Sequence, residues 1–208
     1  QWAWRFCASS WTPEWGVRLK MESVFIIAEA GINHNGDRDI AFQMVEAAAG
    51  AGVDAVKFQT FKTKNLVTRT APKAAYQSET TNPKESQFEM LQKLELDQDT
   101  HRALKQFTEQ NGLQFLSTAF DLESLAFLSN DLQLEILKIP SGEVTNGPLL
   151  LEYAKTGREL ILSTGMSNLD EIRQALAVLA FGLIGGKPPS INAFSKAHEN
   201  DEGQTALR

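Results

Sequence analysis

Cysteine is almost missing from this 208-residue sequence, with Cys7 standing alone. A single thiol excludes an internal disulfide framework, and without a second cysteine no C-x-x-C metal or redox pair can form. A reducing cytoplasm is therefore the expected compartment. Histidine is scarce as well: His34, His101 and His198 lie far apart, with no second His or Cys at ligand spacing, so these residues predict no metal site. His34, beside an Asn-Gly pair, reads as a hydrogen-bonding turn residue. Surplus positive charge is lacking too, since 20 Lys and Arg face 26 Asp and Glu for a net charge of −6. That balance argues against a nucleic-acid-coating surface, although a few lysines gathered in one cleft still dominate their local field. No apolar run approaches the ~20 residues of a membrane helix.

What is present begins with an odd leader. Residues 1–20 hold all four tryptophans and the cysteine, with no helical or strand period. They read as extraneous to the fold, with Met21 as the natural start. From Val24 the pattern alternates strand and helix. The apolar run Phe25-Ile-Ile-Ala ends at Glu29, where Gly31, Asn33 and Asn35-Gly36 turn the chain. Glu29 is either a cap or lysine partner, or a catalytic carboxylate. A helix follows with Ile40, Met44, Val45 and Ala48 on one face and Gly50 and Gly52 at its end. Ala55 to Gln59 is the second strand, and a long polar segment then runs from Thr60 to about Ser86. Helices near Phe88–Leu94 and Gln98–Asn111 precede the third strand, Gln114 to Thr118.

Asp121 is placed to cap a helix with Leu122, Leu125, Ala126 and Leu128 inward, and Ile136 to Ile139 forms the fourth strand. A helix from about Gly147 to Thr156 carries Pro148 in its first turn and Gly157 beyond its end. The fifth strand is Leu160 to Ser163. A last helix, capped near Asn168, turns Leu169, Ile172, Leu176 and Leu179 inward. Residues 181–208 read as an irregular insertion or tail with one short helix.

Five strand–helix units imply a parallel sheet, either doubly wound or barrel-like. A doubly wound sheet should carry G-x-G-x-x-G after its first strand, and Gly31 to Gly36 does not. The expected fold is α/β, a partial (β/α)₈ barrel comprising about the first five units, with residues 21–208 as its N-terminal part. Barrels place their chemistry at the carboxyl ends of the strands, and polar residues stand at all five: Glu29; Lys57 and Gln59; Ser117 and Thr118; Lys138, Ser141 and Glu143; Ser163 and Thr164. Lys57 and Lys138 each interrupt an apolar strand. Two ammonium groups brought into one layer need an anion, either Glu29 or Glu143 or a multi-oxygen guest held with the hydroxyls of Thr118, Ser141 and Ser163.

These blocks, Ile26-Ile-Ala-Glu-Ala-Gly-Ile-Asn-His-Asn-Gly36, Asp54-Ala-Val-Lys-Phe-Gln-Thr60, Phe115-Leu-Ser-Thr-Ala-Phe120, Leu137-Lys-Ile-Pro-Ser-Gly-Glu143 and Ile161-Leu-Ser-Thr-Gly-Met166, resemble in order the N-terminal part of the N-acetylneuraminate (sialic acid) synthase family. The first block is similar to the sialic and legionaminic acid branches. The resemblance implies a barrel that condenses phosphoenolpyruvate with an N-acetylmannosamine-type sugar to a nine-carbon 2-keto acid and phosphate. By the same resemblance, Lys57, Thr118, Lys138, Ser141 and Ser163 hold phosphoenolpyruvate, Gln59 and Glu143 face the sugar, and Glu29 positions sugar hydroxyls or the attacking water. It further implies a divalent metal (Mn²⁺ or Mg²⁺) whose histidine ligands come from later strands, and a homodimer with a C-terminal antifreeze-like domain. Neither the ligands nor that domain is in this chain, so the chain alone is expected to be inactive. Pro140, where the family more often has a small residue, is a departure beside Ser141.

Overall fold

The computed structural model describes residues 24–73, 85–185 and 188–208; the leader and part of the polar segment lie outside them. The first strand, β1 (Ile27–Gly31), runs into a tight turn in which Asn35 and Gly36 both adopt positive φ. Gly36 has no alternative there, because a Cβ would fall 1.9 Å from the Lys93 carbonyl oxygen. Asp37 then caps α1 (Arg38–Ala51) by accepting from the amides of Asp39 and Ile40, and Gly52 closes it in the left-handed conformation. After β2 (Ala55–Thr60) the polar segment opens with a short helix, α2 (Thr63–Leu66), and beyond residues 74–84 comes α3 (Gln87–Leu94), started by a reciprocal Ser86–Glu89 capping box.

The remaining units repeat this grammar. Asp97 caps α4 (Gln98–Gln110) ahead of β3 (Gln114–Ala119). Asp121 caps α5 (Leu122–Ala126), which widens into a π-helical turn over Phe127–Asp131 before β4 (Ile136–Ile139). A 3₁₀ turn at Ser141–Glu143 leads to α6 (Gly147–Lys155), then β5 (Glu159–Leu162) and α7 (Leu169–Leu183), whose cap, Asn168, forms a second capping box with Glu171.

All strand pairings are parallel, in the spatial order β1-β2-β3-β4-β5. Consecutive strands that lie side by side, each followed by a helical layer, are the architecture of a (β/α)₈ barrel wall; a doubly wound sheet would reverse order at a switch point. The alternation along each strand divides the sheet. Val56, Phe58, Phe115, Ala119, Leu137 and Ile139 face the helices and are buried with Val45, Leu104, Leu128, Leu150 and Tyr153 in the main core.

Some inward assignments do not hold. Ile40, Leu122 and Leu169 are exposed, as is Ala126. Leu122 and Ala126 lie on the solvent side of α5, and the buried set from α5 through the π-helical turn is Ser124, Leu125, Phe127, Leu128 and Ser129. Leu169 and Ile40 sit in the first turns of their helices. The segment after Phe181 is also more regular than its composition suggests: α8 (Ile191–Glu199) and α9 (Asp201–Ala206) pack beside α7, with Phe194 stacked edge-on against Phe181 at 5.0 Å. Its signals were short-range, a Ser190 cap and an Asn200 cap, too brief to register as a period.

Candidate active site

Strand register decides which polar residues meet. Glu29 is paired with Lys57 across β1 and β2, and Gln59 aligns with Thr118, which aligns with Lys138 and so with Ile161. All these residues share the face opposite the helices. Lys138 therefore sits two residues further along than Lys57 over two strands, equal in size to the one-residue-per-strand stagger of a barrel with eight strands and shear eight.

The contacts follow from that placement. The Lys57 ammonium lies 2.7 Å from Glu29 Oε2 and donates to Thr118 Oγ1 at 3.4 Å. Its side chain is only 9% exposed, whereas that of Glu29 is 58% exposed. Lys138 Nζ donates to the Ser163 hydroxyl and, at 3.0 Å, to the Ile139 carbonyl. Among the described residues no carboxylate pairs with Lys138. Burial lowers its pKa first, and the neighbouring Lys57 charge lowers it further against a smaller opposing pull from Glu29. Gly31 ends β1 beside this group: a Cβ on it would stand 3.3 Å from Glu29 Oε1 and 3.7 Å from Gln59 Nε2, so glycine keeps the carboxylate and amide together.

The turns after β4 and β5 complete the rim. Gly165 lies against Ser141, its absent Cβ only 3.5 Å from Ser141 Oγ, which brings the two turns together. Glu143 accepts from the Asn146 amide at 2.7 Å, within its own turn. Glu29, Lys57, Gln59, Thr118, Lys138 and Ser163 thus share one face, with Ser141 and Glu143 on the bordering turn. Of the two possible carboxylate partners it is Glu29 that reaches a lysine.

Ser117 does not join them. It points to the helix side, where its hydroxyl meets Thr60 Oγ1 at 2.7 Å and Thr60 meets His101 Nε2 at 2.9 Å. His101 Nδ1 donates to the Asp97 carbonyl at 2.9 Å, leaving Nε2 to accept from Thr60. Burial, the largest influence, holds this imidazole neutral. His34 is the turn residue expected: its Nδ1 accepts from the Gly36 amide at 3.0 Å, and burial lowers its pKa as well.

Sequence reasoning missed Tyr153. Its hydroxyl shares its one proton between the carbonyls of Ala119 (2.8 Å) and Lys138 (3.1 Å) and accepts from the Ala119 amide at 3.0 Å, directly behind Thr118 and Lys138. The only cue was a phenol on the apolar face Leu149, Leu150, Tyr153, Ala154, where a buried hydroxyl must find partners.

Fold and site together define a parallel α/β barrel wall with lysines, carboxylates and hydroxyls gathered where its strands end. The NeuB family model matches residues 44–205. The chain is 54% identical over 159 residues to the N,N'-diacetyllegionaminic acid synthase of Campylobacter jejuni, covering 76% of this chain and 47% of that protein. It is 34% identical over 155 residues to the human N-acetylneuraminate-9-phosphate synthase, covering 74% and 43%. Among solved structures it superposes on the N-acetylneuraminic acid synthetase of Leptospira borgpetersenii, in complex with citrate, with a TM-score of 0.65 at 30% identity, covering 78% of this chain and 52% of that one. The chain belongs to the NeuB family. It spans less than half the length of the curated relatives it matches. No helix among the described residues is long and apolar enough to cross a membrane.

Proposed function

We propose that this chain carries the phosphoenolpyruvate-holding part of a nonulosonic acid synthase, which joins phosphoenolpyruvate to an acetamido sugar and releases phosphate. The observation that supports this most directly is Lys138, a half-buried ammonium with no carboxylate partner among the described residues, lowered in pKa beside a second lysine. A multiply charged phosphate and carboxylate would restore the balance. Lys57 and Lys138 would bind it by charge, and the hydroxyls of Thr118, Ser141 and Ser163 would donate to its remaining oxygens. Glu29, exposed at the rim, would be displaced from Lys57 towards the sugar hydroxyls or the attacking water, with Gln59 and Glu143 on the sugar side.

In the reaction the enol carbon attacks the sugar aldehyde, water adds to the resulting cation at C2, and phosphate leaves with cleavage of its C–O bond. The residues here orient the nucleophile and hold the charge of the departing phosphate. The divalent ion implied by the family resemblance finds no fitting donor set among the described residues, where no group of three or more His, Cys, Asp or Glu gathers.

The 54% identity to a diacetyllegionaminic acid synthase, against 34% to the human N-acetylneuraminate-9-phosphate synthase, favours a sugar bearing two acetamido groups over N-acetylmannosamine. Calorimetric titration with phosphoenolpyruvate tests the binding half of the proposal. Phosphate release with each of the two sugars, assayed in the chain and in a full-length relative, tests the rest. Absence of phosphoenolpyruvate binding that depends on Lys138 would remove the reading.

A further inference from the structure

We propose that Tyr153 is a positioning residue whose hydroxyl stands in for the missing ladder between β3 and β4 and so fixes where Thr118 and Lys138 present their side chains. The seam itself motivates this. β2 and β3 pair at six positions, from Ala55 with Gln114 to Thr60 with Ala119, and β4 and β5 at four, but β3 and β4 pair only at Thr118 with Lys138. Immediately beyond that rung the Tyr153 hydroxyl engages the Ala119 amide, the Ala119 carbonyl and the Lys138 carbonyl. One oxygen thus bridges both strands at the level of the two site residues. Native structures avoid leaving buried backbone groups without partners, and the hydroxyl supplies one where the pairing narrows to a single rung.

The phenol is well made for this task. Tyr153 is fully buried on α6, and burial raises its pKa far above the ordinary range, so it remains a donor at every physiological pH. Its ring is buried in the main core, to which Leu149, Leu150 and Ala154 of the same helix also belong, and this burial anchors the hydroxyl at the seam. Lys138, by contrast, projects from the opposite face of the same strand towards Ser163. The helix layer therefore sets the spacing of the inner face through the backbone, without Tyr153 touching any ligand.

The inference deepens the proposed function, but only its anion-binding arm rests on that reading. In the 208-residue chain, labelled with ¹³C-lysine and assigned with Lys138→Arg, Tyr153→Phe should move the Lys138 titration midpoint up towards that of a free lysine, as the amine leaves its desolvated place beside Lys57. Affinity for inorganic phosphate should fall about tenfold, the size of one weakened charge-assisted contact. Val45→Ala, a core truncation on α1, serves as the control for general loosening and should move neither quantity. An unchanged midpoint in a folded Tyr153→Phe protein, or an equal change in Val45→Ala, overturns the proposal. If Tyr153→Phe does not fold, 3-fluorotyrosine in the unaltered sequence gives just two ¹⁹F signals, because the chain has two tyrosines. The Tyr153 signal should then titrate with the Lys138 midpoint, and a flat response overturns the idea. A wild-type chain that ignores phosphate while Tyr153→Phe still shifts Lys138 would sink the proposed function and leave the positioning role standing.

Discussion

The two faces of the sheet are made by the same strands and obey opposite rules. On the helix side most buried polar groups are paired with one another, as in the chain from Ser117 through Thr60 to His101, with Thr108 Oγ1 and His34 Nε2 left without a partner, and the rest is apolar packing. On the other side Lys57 and Lys138 are desolvated without complete neutralisation, Glu29 being the single carboxylate among the described residues in ion-pair contact with either. One face is closed by packing, while the other keeps an ammonium group with no carboxylate partner among the described residues. Residual charge of this kind costs stability, and the proposed function gives it a ligand to bind.

The largest expected effect breaks the comparison from the stable side. Phe58→Ala, one residue from Lys57 but on the helix face, should cost about 3–5 kcal/mol in chemical denaturation, because it opens a cavity against Phe115. The neighbouring inner face should answer differently. Lys138→Ala should leave the denaturation midpoint unchanged or slightly raised, yet weaken phosphoenolpyruvate binding by about 1.5–3 kcal/mol in calorimetry. If both substitutions destabilise equally, the division of labour between faces is wrong.

Acid sharpens the contrast next. His101 and His34 both have folded pKa values held below the ordinary one by burial, so the unfolded chain binds more protons near neutrality. Their contribution to stability is complete above about pH 6.5 and is lost as pH falls through the lowered values, at about 1.4 kcal/mol per pH unit for each proton taken up. Thermal melts from pH 8 to pH 5 should show this decline, and His101→Gln should flatten part of it. The smallest effect is expected at Leu122, where Leu122→Ser should change stability by no more than about 0.5 kcal/mol, because the side chain is exposed.

Most of the sheet was legible because each strand carries its own evidence: an apolar run, a polar residue at the carboxyl end, and a cap such as Asp121 or Asn168 just beyond. Glu29, Lys57, Gln59, Thr118, Lys138 and Ser163 were legible for the same reason, their alternation placing them on one face. Three features escaped. Leu122 opens its helix on the solvent side, while Phe127, at the start of the π-helical turn, is buried. Ser117 looked like a site residue because strand alternation was not applied to adjacent hydroxyls. Tyr153 escaped because its partners are backbone atoms of distant strands, which leave no trace in side-chain pattern.

The parallel register of Glu29, Lys57, Thr118 and Lys138 also constrains how such a chain can diverge over generations. Deleting one residue within β2 would exchange Lys57 and Phe58 between faces, burying a charge in the core and emptying the site in a single event. A change of length is therefore tolerable in the connections and not within the strands, where it would separate the charged residues from their face.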